Sequence, residues 1–331
     1  MSEAIRALVV RDLTDDLSGC VQGDFELAPP GMGEVQVELR ATAVGFPDLL
    51  MTKGGYQFKP KLPFVPGHEG AGVVVALGEG VSDIATGDKV IVAAPTGLCA
   101  ERANVSAATV RVLPKALSFE EGAALMSAYM TAYVALVRRG NLAAGETLLV
   151  HGAAGGVGLA AVEMGKLLGA TVIATASTDE KRALTKAKGA DHAIDSAPGF
   201  RDKVKELTGG NGADVIFDPV GGDVMDESMR CIAWGGRLLV IGFAAGRISQ
   251  IPANYPLIKG FSVVGVRAGE YGRRDPERGA ENIAQVLKWA REGKLKPHIG
   301  ARFPLSRAKE ALELMAARGA LGRIVIVPDT D

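Results

Sequence analysis

The stretch Leu148-Leu-Val-His-Gly-Ala-Ala-Gly-Gly-Val-Gly-Leu-Ala-Ala161 passes from an apolar run through four glycines into a series of small residues. It places Ala153-x-Gly155-x-x-Gly158 between a predicted strand and a predicted helix, which is the dinucleotide fingerprint with Ala in place of its first Gly. Gly155 lets the backbone approach a pyrophosphate, and Gly158 lets the helix pack close to the strand. The helix N-terminus offers unpaired N–H groups and the positive end of a dipole. Ala154, Gly155, Gly156, Val157 and Gly158 are therefore the predicted phosphate cradle. A mere tight turn would account for single glycines but not for the second apolar run that follows at Thr171–Ala176.

Outward from this loop, buried-type strands alternate with helices. The strands are predicted at Thr147–His151, Thr171–Ala176, Asp214–Asp218, Arg237–Ile241 and Phe261–Val266, and the helices at about 156–168, 179–188, 200–207 and 222–234. Val/Ile/Leu-rich strands alternating with helices predict a doubly wound parallel sheet covered on both faces. Just upstream, Ser118-Phe-Glu-Glu121 has the form of a capping box, opening a helix predicted over Gly122–Val137.

Residues 1 to about 120 read differently. Val35-Gln-Val-Glu-Leu-Arg40 alternates apolar and polar residues, and short strands follow at Gly72–Leu77 and Lys89–Ala93. Pro29, Pro30, Pro60, Pro63 and Pro66 forbid long helices there, leaving a small, mostly antiparallel β unit. After an amphipathic helix with Ile283, Val286, Leu287 and Ala290 on one face, Arg323–Val327 returns to β and is read as donated back to the first unit. The predicted domains are thus 1–122 with 298–331, and 123–297.

The end of the second strand of the α/β half bears on which dinucleotide fits. An NAD site wants Asp or Glu there to bond the ribose hydroxyls. The chain has Ala174-Thr-Ala-Ser-Thr178, with no acid before Asp179. Ser177 can donate to a phosphate, and Lys181 can fold back on the same group, so NADPH is expected over NADH. Lys181 as a solvated helix residue, with Arg182 a spare cation beside it, stays open.

Across 331 residues, 37 Lys+Arg balance 38 Asp+Glu, so nothing at the whole-chain level points to nucleic acid or an acidic membrane. No apolar run of membrane-spanning length occurs, and the first residues lack the pattern of a signal peptide. Cys20, Cys99 and Cys231 are far apart and odd in number, which fits a reducing cytoplasm.

Taken together, the chain resembles the zinc-independent, zeta-crystallin-like quinone oxidoreductases of the medium-chain dehydrogenase/reductase superfamily. The resemblance covers essentially the whole length. It rests on Phe46-Pro-Asp-Leu-Leu-Met-Thr-Lys-Gly-Gly-Tyr56, Pro66-Gly-His-Glu-Gly-Ala-Gly-Val73, Met130-Thr-Ala-Tyr133, the glycine loop, Gly189-Ala-Asp191, Phe217-Asp-Pro-Val-Gly-Gly222 and Gly322-Arg-Ile-Val325. It implies a GroES-like β-rich catalytic domain joined to a Rossmann domain, an active site in the cleft between them, NADPH as hydride donor, and a homodimer formed through the Rossmann sheets. The alcohol dehydrogenases of the superfamily hold catalytic zinc with three protein ligands. By resemblance the first would fall at Gly45, the second at His68, and the third at a Cys that Glu121–Tyr133 lacks. One ligand of three holds no zinc. His68 and Glu69 then read as structural residues of the Pro-Gly-His-Glu turn, or as groups lining the cleft.

Without a Lewis acid, a conjugated acceptor is the easier substrate, because charge spreads onto a remote oxygen and neutral donors suffice. The expected reaction is NADPH-dependent reduction of a quinone or an α,β-unsaturated carbonyl. Tyr56 matches a family tyrosine near the nicotinamide that orients substrate or delivers a proton; an exposed loop aromatic is the alternative. Thr131 matches a threonine that bonds the cofactor, against simple helix packing. Asp48 matches a recurring carboxylate to which no chemical step is assigned. Gly45, Gly242, Phe243 and Val266 are implied to border the nicotinamide end, and Arg323 to face the cofactor unless it is a surface cation on an edge strand.

Departures matter. Gly45 replaces an Asn of several members, Leu50 a tyrosine of some bacterial ones, and Ile194-Asp-Ser196 stands where many have Asn-Tyr. They predict a more apolar pocket, in which an enone or enoyl thioester competes with a quinone. Two other readings remain, a zinc-free alcohol or ketone reductase and a crystallin-like or RNA-binding protein that keeps NADPH without turnover. The balanced charge and sparse aromatics give no sign of the RNA surface.

Overall fold

The computed structural model describes residues 2–329. Along the chain run β1 (Glu3–Val10), β2 (Cys20–Leu27), β3 (Glu34–Val44), α1 (Phe46–Thr52), β4 (Glu69–Leu77), β5 (Lys89–Ala93), β6 (Arg102–Ser106), β7 (Arg111–Val112), α2 (Phe119–Ala123) and α3 (Met126–Tyr133). The α/β half adds β8 (Thr147–Val150), α4 (Gly156–Leu167), β9 (Thr171–Ala176), α5 (Asp179–Ala187), β10 (His192–Asp195), α6 (Phe200–Leu207), β11 (Ala213–Asp218), α7 (Asp223–Cys231), β12 (Ile232–Val240), α8 (Asn254–Lys259), β13 (Ser262–Gly265), α9 (Ala268–Arg274) and α10 (Pro276–Arg291). The chain then continues through β14 (Ile299–Pro304), α11 (Ala308–Ala316) and β15 (Arg323–Val327).

Two compact units emerge, one formed by residues up to Met126 together with those from Lys296 onward, the other by Ser127–Leu295. These limits lie a few residues from the expected ones. In the first unit a seven-stranded sheet runs β14-β15-β3-β4-β5-β7, with β6 also paired to β3, and β1-β2 form a separate hairpin. β15 is an interior strand, parallel to β14 and antiparallel to β3, so the predicted return of the chain to this unit is realised by register: Ile324 faces Val44, and Val325 faces Ala43. Ile324 and Ile326 are buried in one apolar cluster with Leu8, Val10, Leu49 and Leu312.

In the second unit six parallel strands are ordered β10-β9-β8-β11-β12-β13. Counted within the unit this is 3-2-1-4-5-6, the doubly wound order whose switch point lies between β8 and β11. Leu149, Ile173, Ile216 and Leu238, one from each of four adjacent strands, are buried together under Phe200 and Met229.

Three local expectations need correction. The helix over Gly122–Val137 is two pieces: Ser118 Oγ accepts from Glu121 N at 3.2 Å and opens α2, which stops after Ala123, and α3 then passes into a π-helical turn over Val134–Arg139. The helix expected to reach residue 234 ends at Cys231, because Ile232 already pairs with Ala213. A strand absent from the sequence reading, β10, forms at His192–Asp195, too short to show a period.

Ile324→Ala tests the donated strand. Deleting a buried aliphatic side chain costs about 2–5 kcal/mol, and a urea unfolding titration reads that loss; a cost below about 1 kcal/mol would mean β15 is not part of the first unit's core.

Candidate functional site

The glycine loop follows β8 directly. Gly158 sits where an added Cβ would lie 2.3 Å from the Gly152 oxygen and 2.7 Å from Ala153 Cα, so only glycine allows α4 this close to the turn. Gly155 is the N-cap of α4 and has no side chain to cap it, which leaves first-turn N–H groups at Gly156, Val157 and Gly158 free for an anion. Beneath the loop, buried His151 ties three elements together. Its Nε2 is 2.8 Å from Ser228 Oγ and its Nδ1 2.9 Å from Thr175 Oγ1. Ser228 Oγ donates to the Val224 carbonyl, so it accepts from His151 Nε2–H and leaves Nδ1 to accept from Thr175. Burial pushes the His151 pKa down despite the opposing charges of Asp218 and Glu227, and the ring stays neutral.

Other predicted residues lie at the carboxyl ends of the same parallel strands. Ser177 is exposed just after β9. Gly242 and Phe243 follow β12; the Phe243 ring covers Gly221, and an added Cβ at Gly242 would meet the Pro219 oxygen at 3.3 Å. Val266 N–H donates to the Val240 carbonyl at 3.0 Å. Two residues at this edge were given no site role from the sequence. Asp218, at the end of β11, accepts from Val220 and Gly221 N–H through Oδ1, while its buried Oδ2 has no hydrogen-bond partner. Arg182, read from the sequence as a spare cation beside Lys181, stands at the end of β9: one Nη donates to the Ala176 carbonyl at 3.0 Å and lies 3.4 Å from Asp195 Oδ2, and the other pairs with Asp179 at 2.6 Å. Lys181 N–H caps onto Thr178 Oγ1. Thr131 donates its hydroxyl proton to the Ser127 carbonyl at 2.7 Å, so its oxygen is left as an acceptor. An uncapped helix start, a cradle that a Cβ would fill, an orphaned carboxylate oxygen and a cation at the end of β9 suit a phosphorylated dinucleotide.

The first unit holds a buried charge cluster. Asp48, in the first turn of α1, is fully buried; Oδ2 accepts from Gly45 N–H at 2.8 Å and Oδ1 from Gly67 N–H at 3.1 Å. Oδ2 is also 2.8 Å from His68 Nδ1, and His68 Nε2 is 3.8 Å from Glu69 Oε1. Glu69 in turn pairs with Arg323. Arg323 is therefore buried on an interior strand rather than exposed on an edge, with Nε lacking a partner. Burial alone would lower the His68 pKa, but the charge and hydrogen bond of Asp48, aided by Glu69, raise it to about 9. Gly45 is part of this arrangement, since an added Cβ would stand 2.9 Å from His68 Cε1. Tyr56 is half-buried against the apolar cluster of β1 and α1.

Zinc does not fit these residues. Gly45 offers no donor atom, His68 Nδ1 is committed to Asp48, and Cys99 is buried with its thiol pKa pushed far up. Among the described residues no group of three His, Cys, Asp or Glu is placed to hold a metal. No helix among them is long and apolar enough to cross a membrane.

Comparison with known proteins agrees with both halves. Residues 31–139 match the family described as alcohol dehydrogenase GroES-like domain, and residues 156–289 the one described as zinc-binding dehydrogenase. A quinone oxidoreductase-like protein 2 homolog of Nematostella vectensis is 40% identical over 328 residues, covering 98% of this chain and 89% of that protein. A probable oxidoreductase from Mycobacterium abscessus superposes with a TM-score of 0.89 at 38% identity, over 98% of this chain and 99% of the other. A mycobacterial protein solved in complex with NADPH superposes with a TM-score of 0.89 at 29% identity, over 98% and 100% of the two chains.

The Asp48–His68 pair carries a pH signature. The raised His68 pKa contributes stability that is complete below the unfolded value of about 6.5 and is lost as pH rises through about 9. An NMR titration of the His68 ring should show its midpoint near 9, and Asp48→Asn should bring it below 6.5; an unshifted midpoint in the unaltered protein would refute the pair.

Proposed function

Since the chain belongs to the quinone oxidoreductase family of the medium-chain dehydrogenases/reductases, we propose that it is an NADPH-dependent, zinc-independent reductase of quinones and α,β-unsaturated carbonyl compounds. The observation that carries this reading is the carboxyl edge of the six-stranded sheet, where the uncapped Gly155–Gly158 turn and the Arg182 guanidinium at the end of β9 offer two separate places for phosphate. No carboxylate precedes Asp179 in that loop, and the two carboxylates paired with Arg182, Asp179 and Asp195, are exposed and hold it weakly. When bound, NADPH supplies the hydride. Gly156, Val157 and Gly158 N–H groups bind the pyrophosphate, and Ser177, Lys181 and Arg182 favour a 2′-phosphate. Thr131 offers a fixed acceptor oxygen, and Gly242, Phe243 and Val266 form the edge on the far side of the sheet's switch point. By the family resemblance we assign Gly45 and Arg323 to cofactor binding and the Tyr56 hydroxyl to orienting the acceptor.

A conjugated acceptor suits a protein with no Lewis acid. Hydride addition leaves an enolate or quinol anion whose charge neutral hydrogen-bond donors can hold. The three cysteines are free and buried, which supports a reducing compartment such as the cytoplasm. The test is anaerobic NADPH oxidation with 1,4-benzoquinone, 9,10-phenanthrenequinone, a simple enone and crotonyl-CoA. Turnover should exceed that with NADH and should persist after dialysis against a chelator. Loss of activity on chelation overturns the zinc-free reading, and failure of every acceptor with NADPH still bound overturns the reductase.

The protein is also read as a homodimer. Among the described residues β13 is an edge strand bonded only to β12, and beside it Trp234, Leu257 and Ile258 are 79%, 81% and 67% exposed. An open edge with large apolar side chains around it is costly to leave in water. A second copy pairing through β13 would cover both. Sedimentation should give a dimer that Leu257→Asp converts to monomer; a monomeric unaltered protein would remove the proposal.

A further inference from the structure

Away from the proposed dinucleotide edge, the other flank of the second unit carries a wide, open cavity of about 400 Å³ beside β10. Its walls are one face of α5, the outer edge of β10 and one face of α6. β10 is the last strand of the sheet and among the described residues bonds only to β9, so its outer edge has no neighbouring strand.

The charge of the lining is one-sided. Arg182 and Lys186 come from α5, His192 from β10 and Lys203 from α6, against a single acid, Asp191. That acid is already engaged: both its oxygens lie within 2.9 Å of Lys166 Nζ, and one also accepts from Val172 N–H. Lys186 Nζ donates to the Asp191 carbonyl at 2.6 Å, a neutral acceptor, so its charge meets no carboxylate among the described residues. Lys203 is paired with Glu206 at the surface, an exposed pair of little energetic weight. His192 is half-buried and makes no side-chain hydrogen bond among the described residues. The lining also carries the apolar side chains of Ile194 and Leu207.

Lysines on the helices flanking an edge strand can serve only to prevent strand pairing. That role requires neither a concavity of ligand size, nor a half-buried imidazole with no hydrogen bond, nor apolar side chains in the lining. We propose that this cavity is a second binding site, for a small molecule carrying a phosphate on an apolar body, with Lys186, His192 and Lys203 holding the phosphate and Ile194 and Leu207 the body. Arg182 borders both this cavity and the end of β9, so the two sites share one cation.

The test uses the full-length protein loaded with one equivalent of NADPH, with phenyl phosphate and inorganic phosphate as probes. His192 ring resonances should shift saturably, and phenyl phosphate should bind at least 5-fold tighter than inorganic phosphate, on the order expected for burying a ring. Lys186→Glu with Lys203→Glu should weaken phenyl phosphate at least 10-fold and leave the NADPH affinity unchanged; both side chains are exposed, and Lys186→Gln alone provides a milder check on folding. The proposal is overturned by a shift that never saturates, by an equal shift from chloride at matched ionic strength, or by undiminished binding in the charge-reversed protein. Displacement of NADPH, read from its fluorescence, would place the probe in the dinucleotide site and equally overturn it.

Discussion

One close approach organises the second unit. At Gly158 the first turn of α4 touches the Gly152 carbonyl and the Ala153 backbone, leaving no room for a single carbon. Because the helix can come down this far, its N-terminus stands directly over the end of β8 and its body covers β8 and β9. The neighbouring crossovers then place the ends of β9, β11, β12 and β13 along the same edge. His151 reinforces the geometry from below by joining β8, β9 and α7 through two hydrogen bonds in a site without water access. The glycine turn is thus held both by its own close approach at Gly158 and by the hydrogen-bonded core beneath it.

The first unit is governed by a different constraint, a row of four ionisable side chains of which Asp48, Glu69 and Arg323 are buried and His68 is partly exposed. Asp48, His68, Glu69 and Arg323 are of alternating sign, and each is close enough to its neighbour to offset part of the desolvation that burial imposes. Removing one member would strand a charge, at a cost of about 3–5 kcal/mol for a buried pair. Gly45 is the vacancy that lets the imidazole complete the row. A residue with any side chain there would push His68 off Asp48. The arrangement therefore explains a glycine, an aspartate and an arginine whose roles are not separable.

What was legible in the sequence follows from how local each cause is. β5, β9, α6 and β15 were read at their observed limits because periodicity, flanking glycines and caps are encoded within a few residues. The capping box at Ser118 was legible for the same reason, whereas the stop after Ala123 was not, since α2 is shaped by its packing against the sheet, where Gly122 meets Leu113 and Ile91. At the site, the glycine cradle and the absence of an acid after β9 could be read directly. The bond from Arg182 to the Ala176 carbonyl could not, because it depends on which of two adjacent helix residues points back at the end of β9. The pairing of Asp48 with His68 spans twenty positions and is set by the fold alone.

The interior place of β15 has a consequence for how the chain is made. On a ribosome the first 126 residues emerge well before their sheet can be completed, because β14 and β15 follow the whole of the second unit. Until then β3 has an open edge where β15 will lie, and the cluster around Leu8 and Leu49 lacks Ile324 and Ile326. The six-stranded unit, by contrast, is contiguous and can form while the first still waits. Maturation of this protein is thus ordered from the middle outward, and the half that is synthesised first is the half that finishes last.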